Sequence, residues 1–251
     1  MPPSALGAPV EVVRLASDDW CPYVCSHAGK IEGGFVVEVA SRALAATGFR
    51  VETHLLPLSR ALHQTEAGNI DGVFAPPGDA RLLPSGVLAY SRACFFTTAK
   101  SAWSFWGIQS LNGMRLGAIG DYGYDQGAAD RYILANSANR SAIDFSYGAT
   151  AGQTNAKKLL QGRFPVLIEH DLVMNRIVAD MNAEGQFRNA GCVDLPFALR
   201  VGFALHHPHS QVWIAALAVG IRKLERSGEM DKICEHYGVK LIDEHRRKGA
   251  R

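Results

Sequence analysis

The sequence predicts an α/β protein of two lobes, each a mixed, mostly parallel sheet with flanking helices. Three observations lead there. Strand-like and helix-like runs alternate from Val10 onward with short connections, the grammar of parallel βαβ units. The same succession restarts at Met114. An extended run between the two halves, and a further strand near the end of the chain, can carry the backbone from one lobe to the other.

The elements follow in order. "VEVVRLAS" (Val10 to Ser17) alternates branched residues and reads as the first strand. In "GGFVVEVASRALAATG", Phe35, Val39, Ala43 and Leu44 recur at helical intervals and Gly48 closes the helix. "RVETHLL" is the second strand, a short helix runs from Ser59 to Gly68, and "IDGVFA" is the third strand. The second unit reads "MRLGAIG" as strand, "YDQGAADRYILAN" as helix, "AIDFSYG" as strand, "TNAKKLLQGR" as helix, "FPVLIE" as strand and "DLVMNRIVADMN" as helix. Between the units lies "ACFFTTAKSAWSFWGIQSLNG", extended and then looped. "ALRVGFAL" (Ala198 to Leu205) is a late strand. Trp213, Leu217, Ile221 and Leu224 then form the apolar stripe of an amphipathic helix, and "MDKICEHYG" is a short last helix. Sheets of this kind bind ligands outside the carboxyl ends of their strands. The candidate site residues therefore fall within Asp18 to Tyr23, Pro76 to Arg81, Asp121 to Tyr124 and Glu169 to Asp171.

A chain of 251 residues with 47% hydrophobic and 20% charged residues is an ordinary globular mixture. The formal net charge of +2 gives no electrostatic reason to expect nucleic acid, and the basic tail Glu244 to Arg251 reads as a solvated terminus. No apolar run reaches the ~18 to 20 residues that cross a bilayer, since Val212 to Ile221 soon meets Arg222 and Lys223. The first residues lack the basic start and apolar segment of a secretory leader, which leaves a cytoplasmic chain or a mature form without its leader. Five cysteines leave at least one free thiol. Cys21 and Cys25 are the one close pair, and the three residues between them do not make a CxxC redox motif. Cys94, Cys192 and Cys234 lack nearby ligands apart from His236, so no metal site is expected; nor is one expected at "HHPH" (His206 to His209), where a helix starts.

In their order and spacing, several segments resemble one family, the type 2 periplasmic solute-binding proteins, specifically extracellular solute-binding family 3. They are "DDWCPY", "GGFVVEVASRALAATGFRVE", "PLSRALHQTEAGNIDGVFA", "SLNGMRLGAIGDYGYDQG", "LLQGRFPVLIEHDLV" and "IRKLERSGEMDKICEHYGV", spanning about Val10 to Val239. The resemblance implies a periplasmic binding protein-like II fold, with residues 1–97 plus 198–251 as one lobe and 98–197 as the other. It implies a two-strand hinge near Phe95 to Ala99 and Pro196 to Arg200. It also implies a periplasmic location, closure on a small polar ligand, no cofactor, and a single chain that partners a membrane permease of an ABC-type transporter or a sensor. An oxidising periplasm makes a Cys21–Cys25 disulfide reasonable, against two free thiols.

The resemblance also assigns roles within the cleft. Trp20 matches an aromatic that stacks on the ligand, with Tyr23 beside it; the alternative is core packing. Arg81 stands about where amino-acid binders place the arginine that clamps a carboxylate. Pro76, Pro77 and Gly78 replace the hydroxyls usual before it, however, and Arg60 is a competing cation. In "GDYGYDQG", backbone N–H groups would meet an anion, but Asp121 there favours an ammonium or a hydroxyl, so the ligand need not be an ordinary α-amino acid. Tyr122 and Tyr124 can hydrogen-bond or stack. His170 stands at the position that binds a ligand amine, flanked by Glu169 and Asp171, which can instead be a solvated residue and a helix cap. Two other functions remain open: a dehydratase-like enzyme with Glu169 and His170 as acid and base, and a ligand-sensing module for a signalling partner. No helix-turn-helix segment precedes Val10, which counts against a cytoplasmic regulator.

Overall fold

Alternating apolar residues build two five-stranded sheets, and the short segments between them set how the sheets face one another. The computed structural model describes residues 10–78 and 80–241; the basic tail lies outside them. The first sheet contains β1 (Glu11–Ser17), β4 (Phe49–Leu55), β5 (Gly72–Phe74), β6 (Leu82–Pro84) and β14 (Val201–Ala204), in the order β4-β1-β5-β14-β6. The second contains β8 (Ala93–Thr98), β9 (Leu116–Ile119), β10 (Ile143–Ser146), β11 (Val166–His170) and β12 (Phe187–Cys192), in the order β10-β9-β11-β8-β12. A hairpin, β2 (Cys25–His27) and β3 (Lys30–Gly33), follows β1, and a ribbon pairs β7 (Ala89–Ser91) with β13 (Phe197–Leu199).

In each sheet one strand runs against the rest. β14 is antiparallel to β5 and β6, and β8 is antiparallel to β11 and β12. Each reversed strand follows directly on a strand of the ribbon, so the chain changes sheets at β7–β8 and again at β13–β14. The first crossing is therefore at Ala89–Ser91, and the expectation of a hinge at Phe95 to Ala99 is corrected. Phe95 to Thr98 lie in β8, buried almost throughout and paired within the second sheet, because "ACFFT" is too apolar to span a solvent-exposed gap. The expected lobe boundary between residues 97 and 98 falls inside the same strand.

Helices α1 (Phe35–Ala45), α2 (Leu58–Glu66), α6 (Ser210–Ser227) and α7 (Glu229–Tyr237) go with the first sheet, and α3 (Ala128–Ala135), α4 (Ala151–Leu160) and α5 (Asp171–Asp180) with the second. The predicted stripe of α6 buries Trp213, Leu217 and Leu224 against α1. The two helices meet so closely at Gly220 that a Cβ there would lie 1.9 Å from the Ala43 carbonyl oxygen. None of the helices among the described residues is long and apolar enough to cross a membrane.

Candidate functional site

The loop after β1 is braced within itself and against α1. Cys21 and Cys25 form a disulfide, Trp20 and Val24 exchange backbone hydrogen bonds of 2.8 and 3.1 Å, and the Cys21–Pro22 peptide is cis. The carbonyls of Pro22 and Tyr23 accept from the N–H groups of Phe35 and Val36 at 2.8 and 3.0 Å, so the loop satisfies the otherwise open first turn of α1. Such an approach needs glycine at position 34, where φ is +111° and a Cβ would come within 2.4 Å of the Tyr23 carbonyl oxygen. The loop thus acts as a rigid bracket that aims Trp20 at the second lobe.

Trp20 packs there inside an aromatic cluster. Its ring centroid lies 4.7 Å from Tyr23, 4.9 Å from His170, 6.2 Å from Phe197 and 6.3 Å from Tyr122, the last three edge-on. A hydrogen-bonded chain runs through the cluster from lobe to lobe. Tyr23 donates to Ser91 Oγ at 2.8 Å, Ser91 lies 2.7 Å from His170 Nδ1, and His170 Nε2 lies 3.3 Å from the Gly123 carbonyl oxygen. A carbonyl only accepts, so Nε2 carries the proton, Nδ1 accepts from Ser91, and every group in the chain is satisfied by a neutral imidazole. Burial favours that form and holds the His170 pKa down at about 4.

Two carboxylates face this cluster from opposite lobes. Asp18, directly after β1, accepts the Tyr122 hydroxyl at 2.7 Å; burial raises its pKa to about 6, partly offset by that bond. Glu169, in β11, is 2% exposed, and burial raises its pKa to about 7. One of its oxygens accepts the His170 backbone N–H at 2.8 Å. The Trp20 Nε1–H lies near enough to favour the charged form of Glu169 yet closes no hydrogen bond of normal geometry. Asp18 adds repulsion, so the two acids sense one another. Neither forms an ion pair among the described residues.

Two aspartates take up backbone N–H groups between Tyr124 and Asp130, ahead of and within the start of α3. Asp130 accepts from the backbone of Tyr124, Asp125 and Gln126, and Asp125 accepts from Gly127, Ala129 and Asp130, all within 2.7–3.2 Å. Tyr124 is fully buried, and its hydroxyl accepts the Ile119 N–H at 2.8 Å.

Three cavities separate the lobes at this level. One of about 40 Å³ lies beside Glu169, Trp20 and Gly152, one of about 20 Å³ beside Asp18, Trp20 and Phe197, and one of about 150 Å³ between Asp18, Ser59, Asp121 and Tyr147. A larger groove of about 740 Å³ adjoins them on the flank of the second lobe, lined mainly by the turn after β9, α3 and Tyr147. Of all the lining residues, Tyr122 alone borders all four spaces.

The fold therefore brings together Trp20, Tyr23, Tyr122, Tyr124, Glu169 and His170, with Asp121 exposed at the cavity edge at a φ of +66°. Arg60 and Arg81 are both exposed and border none of the four spaces. The sequence placed Asp18 at the head of a candidate stretch, immediately after a strand, but gave it no role of its own. Ser91 and Phe197 lie on the ribbon and carried no such signal. The pairing of Cys94 with Cys192, which joins β8 to β12, was also missed, and Cys234 is the free, buried thiol. The disulfide between Cys21 and Cys25 is present.

No protein-family model and no curated protein sequence matches the chain. Solved structures do. A histidine kinase sensor domain described as similar to periplasmic binding proteins superposes with a TM-score of 0.76 at 14% identity, over 92% of this chain and 98% of the other. The fold is that of the two-lobed periplasmic binding proteins. Other structures with this binding-protein fold agree. A protein solved in work on glutathione import through GshT and the cystine ABC importer TcyBC of Streptococcus mutans gives a TM-score of 0.75 at 13% identity, over 94% and 98% of the two chains. The amino acid ABC transporter substrate-binding protein AbpA from Streptococcus pneumoniae, bound to L-arginine, gives 0.69 at 15%, over 91% and 94%.

Proposed function

We propose that this chain is a periplasmic solute-binding protein, which closes its two lobes on a small polar solute and presents it to a membrane permease of the ABC type or to a sensor. One observation carries the reading. The carboxyl ends of parallel strands from both sheets face one another across the cavities: residues following β1 and β4 line one wall, and residues following β9 and β10 line the other. A site shared in this way is complete only when the lobes meet, so a solute that touches both walls favours the closed arrangement. The ribbon of β7 and β13, the two disulfides and the similarity in fold to transporter binding proteins and to a sensor domain support the same reading.

A catalytic role for Glu169 and His170 has less support, because both nitrogens of His170 are engaged within the protein and its ring is fully buried.

A metabolite panel of amino acids, amines, peptides, sugars and carboxylates, read by melting temperature, tests the reading. A solute at a hundred times its Kd adds ~2.7 kcal/mol, which for a chain of this size corresponds to roughly 5 to 10 °C. Trp20→Leu, which keeps an apolar side chain in the bracket, is expected to abolish the shift. No response from any class of solute would contradict the proposal.

A further inference from the structure

We infer, on the reading of the cleft as a solute site, that it takes a small organic cation without a carboxylate, and that the Tyr122 hydroxyl holds that cation's place on Asp18. Three features of the cleft carry the inference.

The first is the absence of a free cationic side chain. Among the residues lining the three interlobe cavities Arg176 is the single cation, and Asp180 already holds it at 2.9 Å. A ligand carboxylate would find no free guanidinium fork.

The second is a buried acid on a cavity wall. Glu169 Oε1 receives the His170 N–H, and the Trp20 Nε1–H lies near the carboxylate without closing a hydrogen bond of normal geometry. Oε2 lies 3.7 Å from where a Cβ on Gly152 would be, beside the cavity of about 40 Å³. A carboxylate oxygen there can accept from a ligand N–H, and an ammonium or guanidinium brings several. The rings of Trp20 and Tyr122 line the same space and suit a cation through their faces and edges.

The third is Tyr122 itself. It stands on the second lobe, reaches across the gap, and donates one O–H to a carboxylate of the first lobe, as a ligand N–H would. Because it borders all four spaces, turning it aside would join the two Asp18 cavities to the Glu169 cavity and leave both carboxylates facing one chamber. The solute and the phenol then compete for Asp18.

Paired probes that differ only by a carboxylate test this directly: agmatine against arginine, and cadaverine against lysine, titrated calorimetrically into the intact protein. The decarboxylated partner is expected to bind at least tenfold more tightly in each pair. Asp18→Asn should weaken agmatine at least tenfold, whereas Tyr122→Phe, which removes only the competing hydroxyl, should tighten it several-fold. A merely structural Tyr122 would not tighten anything. Tighter binding of arginine and lysine than of their decarboxylated partners, or no gain in Tyr122→Phe, would overturn the inference while leaving a solute-binding cleft intact. Failure of both pairs, with a neutral or acidic solute of the wider panel binding instead, would also overturn it and spare the broader reading. Failure of every solute would remove both.

Discussion

Glu169 is a carboxylate that the fold keeps dry. Burial holds its pKa at about 7 against an ordinary 4.5, so between those values the folded protein binds more protons than the unfolded chain, and stability falls as pH rises through the window. Asp18, raised to about 6, acts in the same direction, while His170, lowered to about 4 from 6.5, acts oppositely over an overlapping range. A comparison with Glu169→Gln cancels the last two. The stability gained by this variant over the parent is expected to grow between about pH 4.5 and pH 7, by on the order of 3 kcal/mol, as followed by urea unfolding. A difference that stays constant with pH would show that Glu169 is not held in the dry site described here. At this scale much of the site was legible in the sequence. Trp20, Tyr122 and Glu169, which the fold brings together, were singled out because each follows or ends a strand, and the position after a strand can be read from local pattern. Their roles could not be read, because the partner of each lies on the other lobe: Tyr122 meets Asp18 across 104 residues of chain, and Ser91 meets His170 across 79.

At the scale of elements, the two disulfides do different work. Cys94 and Cys192 are 98 residues apart and tie neighbouring strands β8 and β12, whereas Cys21 and Cys25 are 4 apart and close only the bracket under Trp20. On loop-closure entropy, Cys94→Ala with Cys192→Ala should cost about 4 to 5 kcal/mol, and Cys21→Ala with Cys25→Ala only about 2 kcal/mol. The second pair should nonetheless change the near-ultraviolet circular dichroism of Trp20 and weaken solute binding, since the bracket sets the ring's direction. Equal stability losses for the two pairs, or an unchanged tryptophan signal, would count against this division. β1, β4, β5, β9, β10, β11 and the helices were predicted within a few residues of their observed ends, because amphipathic helices and branched strands announce themselves locally. β2, β3, β6 and β7 were not predicted, β13 and β14 were read as one strand, and β12 was not predicted either. "FRNAGC" lacks clean alternation, and its pairing includes an irregularity between Asn189 and Gly191, so neither the strand nor the Cys94–Cys192 bond left a local pattern.

For the whole molecule, the lobes are held by contacts that can be undone together: the Tyr23–Ser91–His170 chain, the Tyr122–Asp18 bond and the edges of the Trp20 cluster. Among the described residues they are joined covalently only by the two crossings at the β7–β13 ribbon. The sequence placed the return crossing correctly in "FALR" but placed the outgoing one a strand too late, since "AYS" is too short to signal its own role and the apolar "ACFFTT" after it is the stronger local feature. The central claim is that these lobes part and then close on a small solute. Spin labels at exposed Glu66 on α2 and Lys157 on α4, with the inter-label distance distribution measured by double electron–electron resonance, test it most directly. The expected result is a short and a long population in the protein alone, collapsing to the short one when a binding solute is added. A single narrow distance that no solute changes would contradict it.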